Sequence, residues 1–231
     1  MTPGLYVVGT PIGNLEDLSP RAIRTLSGAE SILAEDTRHT RILLDRFGIK
    51  TPAVSCHKFS EASRVEGVIQ RIKAGAAIAL VTDSGMPAVS DPGSRMVAAC
   101  RRAGVPVTSV PGPSAVTTAV ALSGFGGSGF VFAGFAPRKS GALRRVLTEL
   151  AACPAPIVLF ESPYRVLKLL GEIAAVLGDR PVCLARELTK KFEETRVGTA
   201  AELMAAYEGR TVKGELVVII APRVDRHEPE C

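Results

Sequence analysis

IALVTDSGMPAVSDPG, residues 78–93, decides how this chain is read. Ile78, Ala79, Leu80 and Val81 form an apolar run, the pattern of a buried strand near its end. The chain then breaks at Asp83-Ser84-Gly85-Met86-Pro87 and again at Ser90-Asp91-Pro92-Gly93. Gly85 and Gly93 permit backbone angles that other residues avoid, while Pro87 and Pro92 fix φ and remove a donor. Beyond the break, Met96, Val97 and Cys100 recur at helical spacing. The stretch therefore predicts a strand, a long shaped loop and a helix. A plain strand-to-helix connection needs only a few turn residues, about half of what is present. Open α/β sheets hold their ligands just beyond strand C-termini, so the loop is read as a ligand loop.

The same alternation extends in both directions. Upstream, residues 5–8 are apolar and end in Gly9-Thr10-Pro11-Ile12-Gly13-Asn14, a second loop able to approach a partner closely. It is not GxGxxG and no P-loop lysine follows, so a nucleotide-phosphate site is poorly supported. Ser19-Pro20 starts a helix. A short strand at 32–34 leads into Glu35-Asp36-Thr37-Arg38, and helices are expected at 40–47 and 61–73. Downstream, a strand at 105–110 ends in Pro111-Gly112-Pro113-Ser114, and a helix of small apolar residues covers 115–122. Strands at 130–135, 157–160, 182–186 and 215–221 then alternate with helices at 141–151 and 164–177. Strands alternating with helices mean an α/β fold. Its expected division is an N-terminal α/β domain (1–111), a C-terminal α/β domain (112–224) and a frayed tail (225–231).

Composition narrows the function classes. Hydrophobic residues are 46% and charged residues 22% of 231, enough for a substantial core. With no Trp and 5% aromatics, that core is aliphatic. A net charge of +5 permits a polyanionic partner without demanding one. Cys56, Cys100, Cys153, Cys183 and Cys231 are odd in number and lack CxxC pairs, so they read as free thiols rather than a disulfide framework or zinc site. His39 and His57 have no second ligand at helical spacing, and no metal is expected. No apolar run reaches the ~20 residues of a membrane helix, and the start of the chain lacks the basic region of a signal peptide. A cytoplasmic protein is expected.

GTPIGN, DSGMPAVSDPG and PGPSA share one character: glycine, proline and small polar residues at strand ends. They suit an organic ligand held by backbone groups. With EDTR at 35–38, FESPYR at 160–165, ARELTKKFEE at 185–194 and KGE at 213–215, they occur in an order that resembles the tetrapyrrole methylase superfamily. Within it the chain is most similar to the methyltransferases of small-subunit ribosomal RNA. The resemblance runs from Leu5 to about Pro222. It implies two α/β domains with S-adenosylmethionine in the cleft between them, usually in a homodimer, with no membrane or DNA partner. The implied substrate is 16S rRNA in the assembled small subunit, methylated on the ribose 2′-oxygen of a decoding-centre cytidine. Carried over by position, the cofactor contacts are Pro11, Gly85, Met86, Val89, Ser114 and Ala115, closed by Phe160 and the backbone near Leu188 and Gly214. Relatives often carry a histidine- and asparagine-bearing segment where this chain reads Cys56-His57-Lys58-Phe59-Ser60-Glu61, of which His57 and Glu61 match. Many also continue for tens of residues past the last strand.

Methyl transfer to a ribose hydroxyl benefits from in-line positioning and from a base that acts as the hydroxyl acidifies. Asp36 is the first candidate base, followed by Glu161 and Glu187. Each also reads as a salt bridge or helix cap. Arg38, Arg165, Arg186, Lys190 and Lys191 are candidate phosphate contacts, or alternatively a solvated basic face. A tetrapyrrole methyltransferase of the same superfamily and a non-enzymatic RNA-binding module are the competing readings.

Overall fold

The computed structural model describes residues 1–57, 60–127 and 129–223. The chain divides into two compact units, Met1–Ser114 and Ala115–Cys231, three residues past the expected 111/112 division.

In the first unit, β1 (Gly4–Val8), β2 (Ser31–Ala34), β3 (Ala53–Ser55), β4 (Ala77–Val81) and β5 (Val107–Val110) form one parallel sheet in the order β3-β2-β4-β1-β5. Period-2 alternation sends its side chains into two cores. Leu5, Leu33, Ile78 and Leu80 point to one face, against α3 (Glu61–Lys73) and α4 (Ser94–Arg102). Val8, Ile32, Ala34, Ala79 and Val81 point to the other, against α1 (Pro20–Gly28) and α2 (Thr37–Arg46). A parallel sheet buried on both faces needs the near-continuous apolar strands that the sequence supplies. Ser19 begins α1, its hydroxyl accepting from the Ala22 amide at 3.1 Å with Pro20 next in line.

This strand order fixes where a ligand can enter. After β1 the chain moves to β2 on one side, and after β4 it moves to β5 on the other. The adjacent β1 and β4 therefore form a topological switch point, with a crevice beyond their C-terminal ends. GTPIGN and DSGMPAVSDPG are the loops that leave those two ends.

The second unit is a mixed sheet. α5 (Ala115–Ser123) precedes β6 (Val131–Phe135), α6 (Ser140–Leu150), β7 (Ile157–Glu161), α7 (Val166–Leu177), β8 (Pro181–Arg186), β9 (Glu194–Thr199), α8 (Ala200–Tyr207) and β10 (Leu216–Ile220). The strands lie in the order β6-β7-β10-β8-β9, parallel only at β6-β7. One face carries Leu159, Leu184 and Val218 onto α6, α7 and α8, while α5 packs against β8 and β10.

Four elements lie outside the sequence expectations: the 3-10 turn Leu15–Asp17, β3, β9 and α8. β3 is a three-residue edge strand with too little pattern to detect. β9 lies in a charged segment, paired with β8 over six positions and tied to it by the Arg186–Glu194 cross-strand ion pair at 2.9 Å. α8 announces itself by Thr199 and Glu202, a reciprocal capping box in which the Thr199 amide donates to Glu202 at 2.7 Å. Helix α2 begins at Thr37 rather than the expected 40, capped by Asp36, whose side chain accepts from the Arg38 amide.

Candidate functional site

Three loops meet at the switch point of the first unit. The Thr10 amide donates to the Gly85 carbonyl at 2.9 Å and the Gly85 amide donates back to the Thr10 carbonyl at 3.1 Å. This two-bond bridge lashes the loop after β1 to the loop after β4. The third loop arrives by close packing. A Cβ on Gly9 would lie 2.6 Å from the Met86 sulfur and 2.7 Å from Cα of Gly112, and one on Gly112 would lie 2.8 Å from Gly9. Both positions must be glycine, because no Cβ fits between those backbones. The freedom of Gly9 is thus used to admit another loop. Gly85 differs: its Cβ would find ordinary contact with Ile12 at 3.5 Å, but its φ of +80° lies where side chains are strained.

Past Met86 the loop is held in unusual conformations. Ala88 and Ser90, neither of them glycine, have φ of +70° and +66° on either side of the exposed Val89. The Ala88 amide donates to the Pro92 carbonyl at 3.1 Å and closes the loop on itself. Left-handed non-glycine residues persist only where their surroundings hold them, and they concentrate at ligand sites. Of the expected cofactor positions, Pro11, Gly85, Met86 and Val89 therefore fall on the loops leaving the switch point, with Ser114 at the unit's end.

A carboxylate cluster beside these loops was not recognised from the sequence. Asp83 accepts from the Asp36 amide at 3.0 Å, and Glu35 in turn accepts from the Asp83 backbone. The crossed bonds join the ends of β2 and β4. Asp91, in the same loop as Gly85, is pushed up to about 6 by burial and by the charges of Glu35 and Asp83. Burial, with Asp83 beside it, also raises Glu35. The sign of it in the sequence is the pair Asp83 and Asp91 inside residues 78–93, with Glu35 and Asp36 directly after β2.

The three candidate bases are each held by a cation. Asp36 caps α2 through the Arg38 amide at 2.8 Å and binds the Arg38 guanidinium at 2.7 Å, which together hold its carboxyl far below the usual range. Glu161, with only 3% of its side chain exposed, accepts from Arg165 at 2.6 Å and from the Ser162 amide at 2.6 Å. Glu187, at φ +51°, accepts from Lys190 at 3.0 Å and from the Glu215 amide at 2.9 Å. Its side chain fills the space where a Cβ on Gly214 would stand, which explains that glycine and its φ of +90°. The buried Leu188 follows it directly. Phe160 is packed edge-on against Phe132 and Phe135, and Ala115 opens α5.

Among the candidate phosphate contacts, Arg186 is taken up by Glu194 and by the Lys213 carbonyl at 3.1 Å, and Lys190 by Glu187 and by Glu215 at 2.8 Å. Lys191 is exposed, with its ammonium over the Phe192 ring, and Arg38 is exposed beyond its bond to Asp36. The Glu61 amide donates to the His57 carbonyl at 2.9 Å, while the buried Glu61 carboxylate accepts from the Met96 amide at 2.8 Å, which ties α3 to α4. Lys58 and Phe59 lie outside the described residues. Among the described residues no group of His, Cys, Asp or Glu is arranged to hold a metal, and no helix is long and apolar enough to cross a membrane.

A family profile described as "Tetrapyrrole (Corrin/Porphyrin) Methylases" matches residues 4–204. A protein of Thermotoga maritima named ribosomal RNA small subunit methyltransferase I is 45% identical over 94% of this chain and 97% of its own length. One of the same name from Xylella fastidiosa is 45% identical over 97% of this chain and 84% of its own. The chain belongs to the ribosomal RNA small subunit methyltransferase I family of the tetrapyrrole methylases. Solved structures of this fold include diphthine synthase, with a TM-score of 0.70 and 16% identity, covering 94% of this chain and 89% of that one. A Thermus thermophilus uroporphyrin-III C-methyltransferase, complexed with S-adenosyl homocysteine, has a TM-score of 0.64 and 21% identity over 94% and 96%. The tetrapyrrole methylase fold thus agrees with the two α/β units expected from the sequence.

Proposed function

We propose that the protein transfers a methyl group from S-adenosylmethionine to 16S rRNA in the small ribosomal subunit, at the ribose 2′-oxygen of a decoding-centre cytidine. The observation that carries this reading is the 45% identity to a named rRNA methyltransferase across nearly the whole chain. The shaped loops support the cofactor. S-adenosylmethionine supplies a methyl group on a sulfonium, whose departure as a thioether needs no acid. The chain's part is to bind and align. Backbone groups around Pro11, Gly85, Met86 and Val89, at a switch point free of lysine and arginine, suit a ligand whose reacting end is cationic. Ser114, and in the second unit Ala115, Phe160, Leu188 and Gly214, are assigned to the same ligand by the family resemblance alone.

Alignment of oxygen and methyl can supply much of the acceleration. Asp36 is the proposed late proton acceptor, because its side chain is more exposed than those of Glu161 and Glu187. Arg38, Arg165 and Lys191 are the proposed RNA contacts. Two copies are proposed to pair, as the family resemblance implies. Light scattering at about twice 24.3 kDa is the expected result. The test of function is incubation with labelled S-adenosylmethionine and three acceptors: unmethylated small subunits, naked 16S rRNA and uroporphyrinogen. Label on RNA as a 2′-O-methylcytidine is expected. Label on the tetrapyrrole alone overturns the proposal.

A further inference from the structure

Within the second unit a cavity of about 540 Å³ opens at the C-terminal ends of β6 and β7. Phe135, Arg138, Glu161, Ser162 and Arg165 line it, with Ala136 and Pro137. Its wall depends on a β-bulge. Phe132 pairs with Val158 and Phe135 with Phe160, so three steps on β6 oppose two on β7. Gly134 absorbs the extra residue at φ +72°. Without the bulge, residues three apart would project to opposite faces. With it, Phe132 and Phe135 both pack edge-on to Phe160, at 4.9 and 5.4 Å between ring centres. Phe135 is supported by Phe160 yet 65% exposed. In a chain with eight Phe, three Tyr and no Trp, an aromatic left in solvent with its own bulge requires an explanation.

Two guanidinium groups, those of Arg138 and Arg165, line the same cavity as this ring. Arg165 donates from one nitrogen to Glu161 and to the Ala136 carbonyl, both at 2.6 Å, which fixes its guanidinium at the cavity wall. Arg138 is exposed, and neither it nor the adjacent Lys139 has an ion-pair partner among the described residues. Tyr164, 91% exposed, stands next to Arg165 in the chain. An open ring that shares its cavity with a fixed and a free guanidinium group is the chemistry that takes a base on its face and a phosphate at its edge.

We propose that this cavity binds one unstacked nucleotide of single-stranded RNA, its base stacked on Phe135 and its phosphate at Arg138. The inference rests on the rRNA reading above and deepens it by naming a nucleotide contact within the second unit. A base drawn out of its stack requires a single-stranded or loosely paired segment, so a duplex is a poor ligand for this cavity.

The test measures anisotropy of a labelled ten-nucleotide oligocytidylate, binding of S-adenosyl homocysteine by calorimetry, and methyl transfer to small subunits. Phe135→Ala is expected to weaken oligonucleotide binding about tenfold, the scale of one lost stacking contact. Phe135→Trp is expected to restore it, and Arg138→Ala to lower the salt slope by about 0.7, one single-strand phosphate contact. S-adenosyl homocysteine affinity stays within twofold throughout. Failure of the native protein to bind the oligonucleotide, or equal binding by Phe135→Ala, overturns the proposal. So does a parallel fall in S-adenosyl homocysteine affinity for Phe135→Ala and Arg138→Ala, which would make the cavity part of the cofactor site. If methyl transfer to subunits is absent while the Phe135 and Arg138 effects appear, the rRNA assignment fails and the nucleotide cavity stands.

Discussion

Gly85 shows what a single residue contributes to the proposed cofactor site. Space is not the constraint, because its Cβ would meet Ile12 at an ordinary 3.5 Å. The constraint is φ of +80° together with the paired bonds to Thr10. Gly85→Val should therefore lose S-adenosylmethionine binding in calorimetry through a displaced loop, whereas Gly85→Asn, which tolerates left-handed angles better, should keep part of it. Equal affinity in both variants would detach this loop from the cofactor. Asp91 makes a second case, in which pH is the variable. Its carboxyl is raised from 3.8 to about 6, so the folded state holds a proton that the unfolded chain has released. Its unfavourable contribution appears as pH rises from about 4 to 6 and is constant above that. Asp91→Asn should therefore be more stable than the native protein at pH 8, by about 1 kcal/mol once solvent screening is allowed for, and equal to it at pH 4. Urea titrations at the two pH values measure this. Asp36 separates cap from base. Asn caps about as well as Asp, so Asp36→Asn should fold and bind normally. Loss of single-turnover methyl transfer would then be the signature of a proton acceptor.

At the scale of elements, the close approach of the loops after β1 and β5 is the sharpest prediction. Gly9→Ala and Gly112→Ala each place a carbon inside the other backbone's contact distance. Each should cost about 2 kcal/mol, at the level of overpacking a core, with melting temperature as the readout. Gly48→Ala, with open space around it at φ +65°, should cost less. Most elements were legible because their signals are local. Ser19-Pro20 gave α1, and the spacing of Val65, Val68, Ile69 and Ile72 gave α3 to its last residue. What failed was non-local. β9 is a strand because Arg186, on β8, lies opposite Glu194, and no pattern within 194–199 says so. The same limit governed the site. The three glycine- and proline-rich loops were readable as ligand loops. That Gly9 serves Gly112, that Asp83 crosses to Asp36, and that Lys190 is tied to Glu187 and Glu215 all depend on pairing at a distance. Phe135 was passed over because its role arises from a bulge, whose only sign in the sequence is a glycine one residue before it.

At the scale of the whole molecule, a net charge of +5 sets how RNA binding should respond to salt. Phosphate contacts release counterions, so affinity for small subunits should fall steeply as salt rises from about 50 to 200 mM. The structure separates cations that can take part from cations that hold the fold. Arg38 and Lys191 are exposed, so Arg38→Ala and Lys191→Ala should each weaken subunit binding and lower the salt slope by about one, with stability unchanged. Lys190 and Arg186 should behave otherwise. Lys190→Ala leaves Glu187, which is held at φ +51° against Gly214, without its cation. Arg186→Ala removes the ion pair that joins β8 to β9. A half-buried pair that loses one member costs about 1–2 kcal/mol, between the exposed and fully buried cases. These two variants should therefore lose stability in denaturant titration, and whatever RNA affinity they lose should keep the native salt slope. Filter binding of small subunits at four salt concentrations, read beside the denaturation midpoints, tests the division. A reduced slope for Lys190→Ala with no change in midpoint would place that ammonium on a phosphate and return it to the RNA contacts.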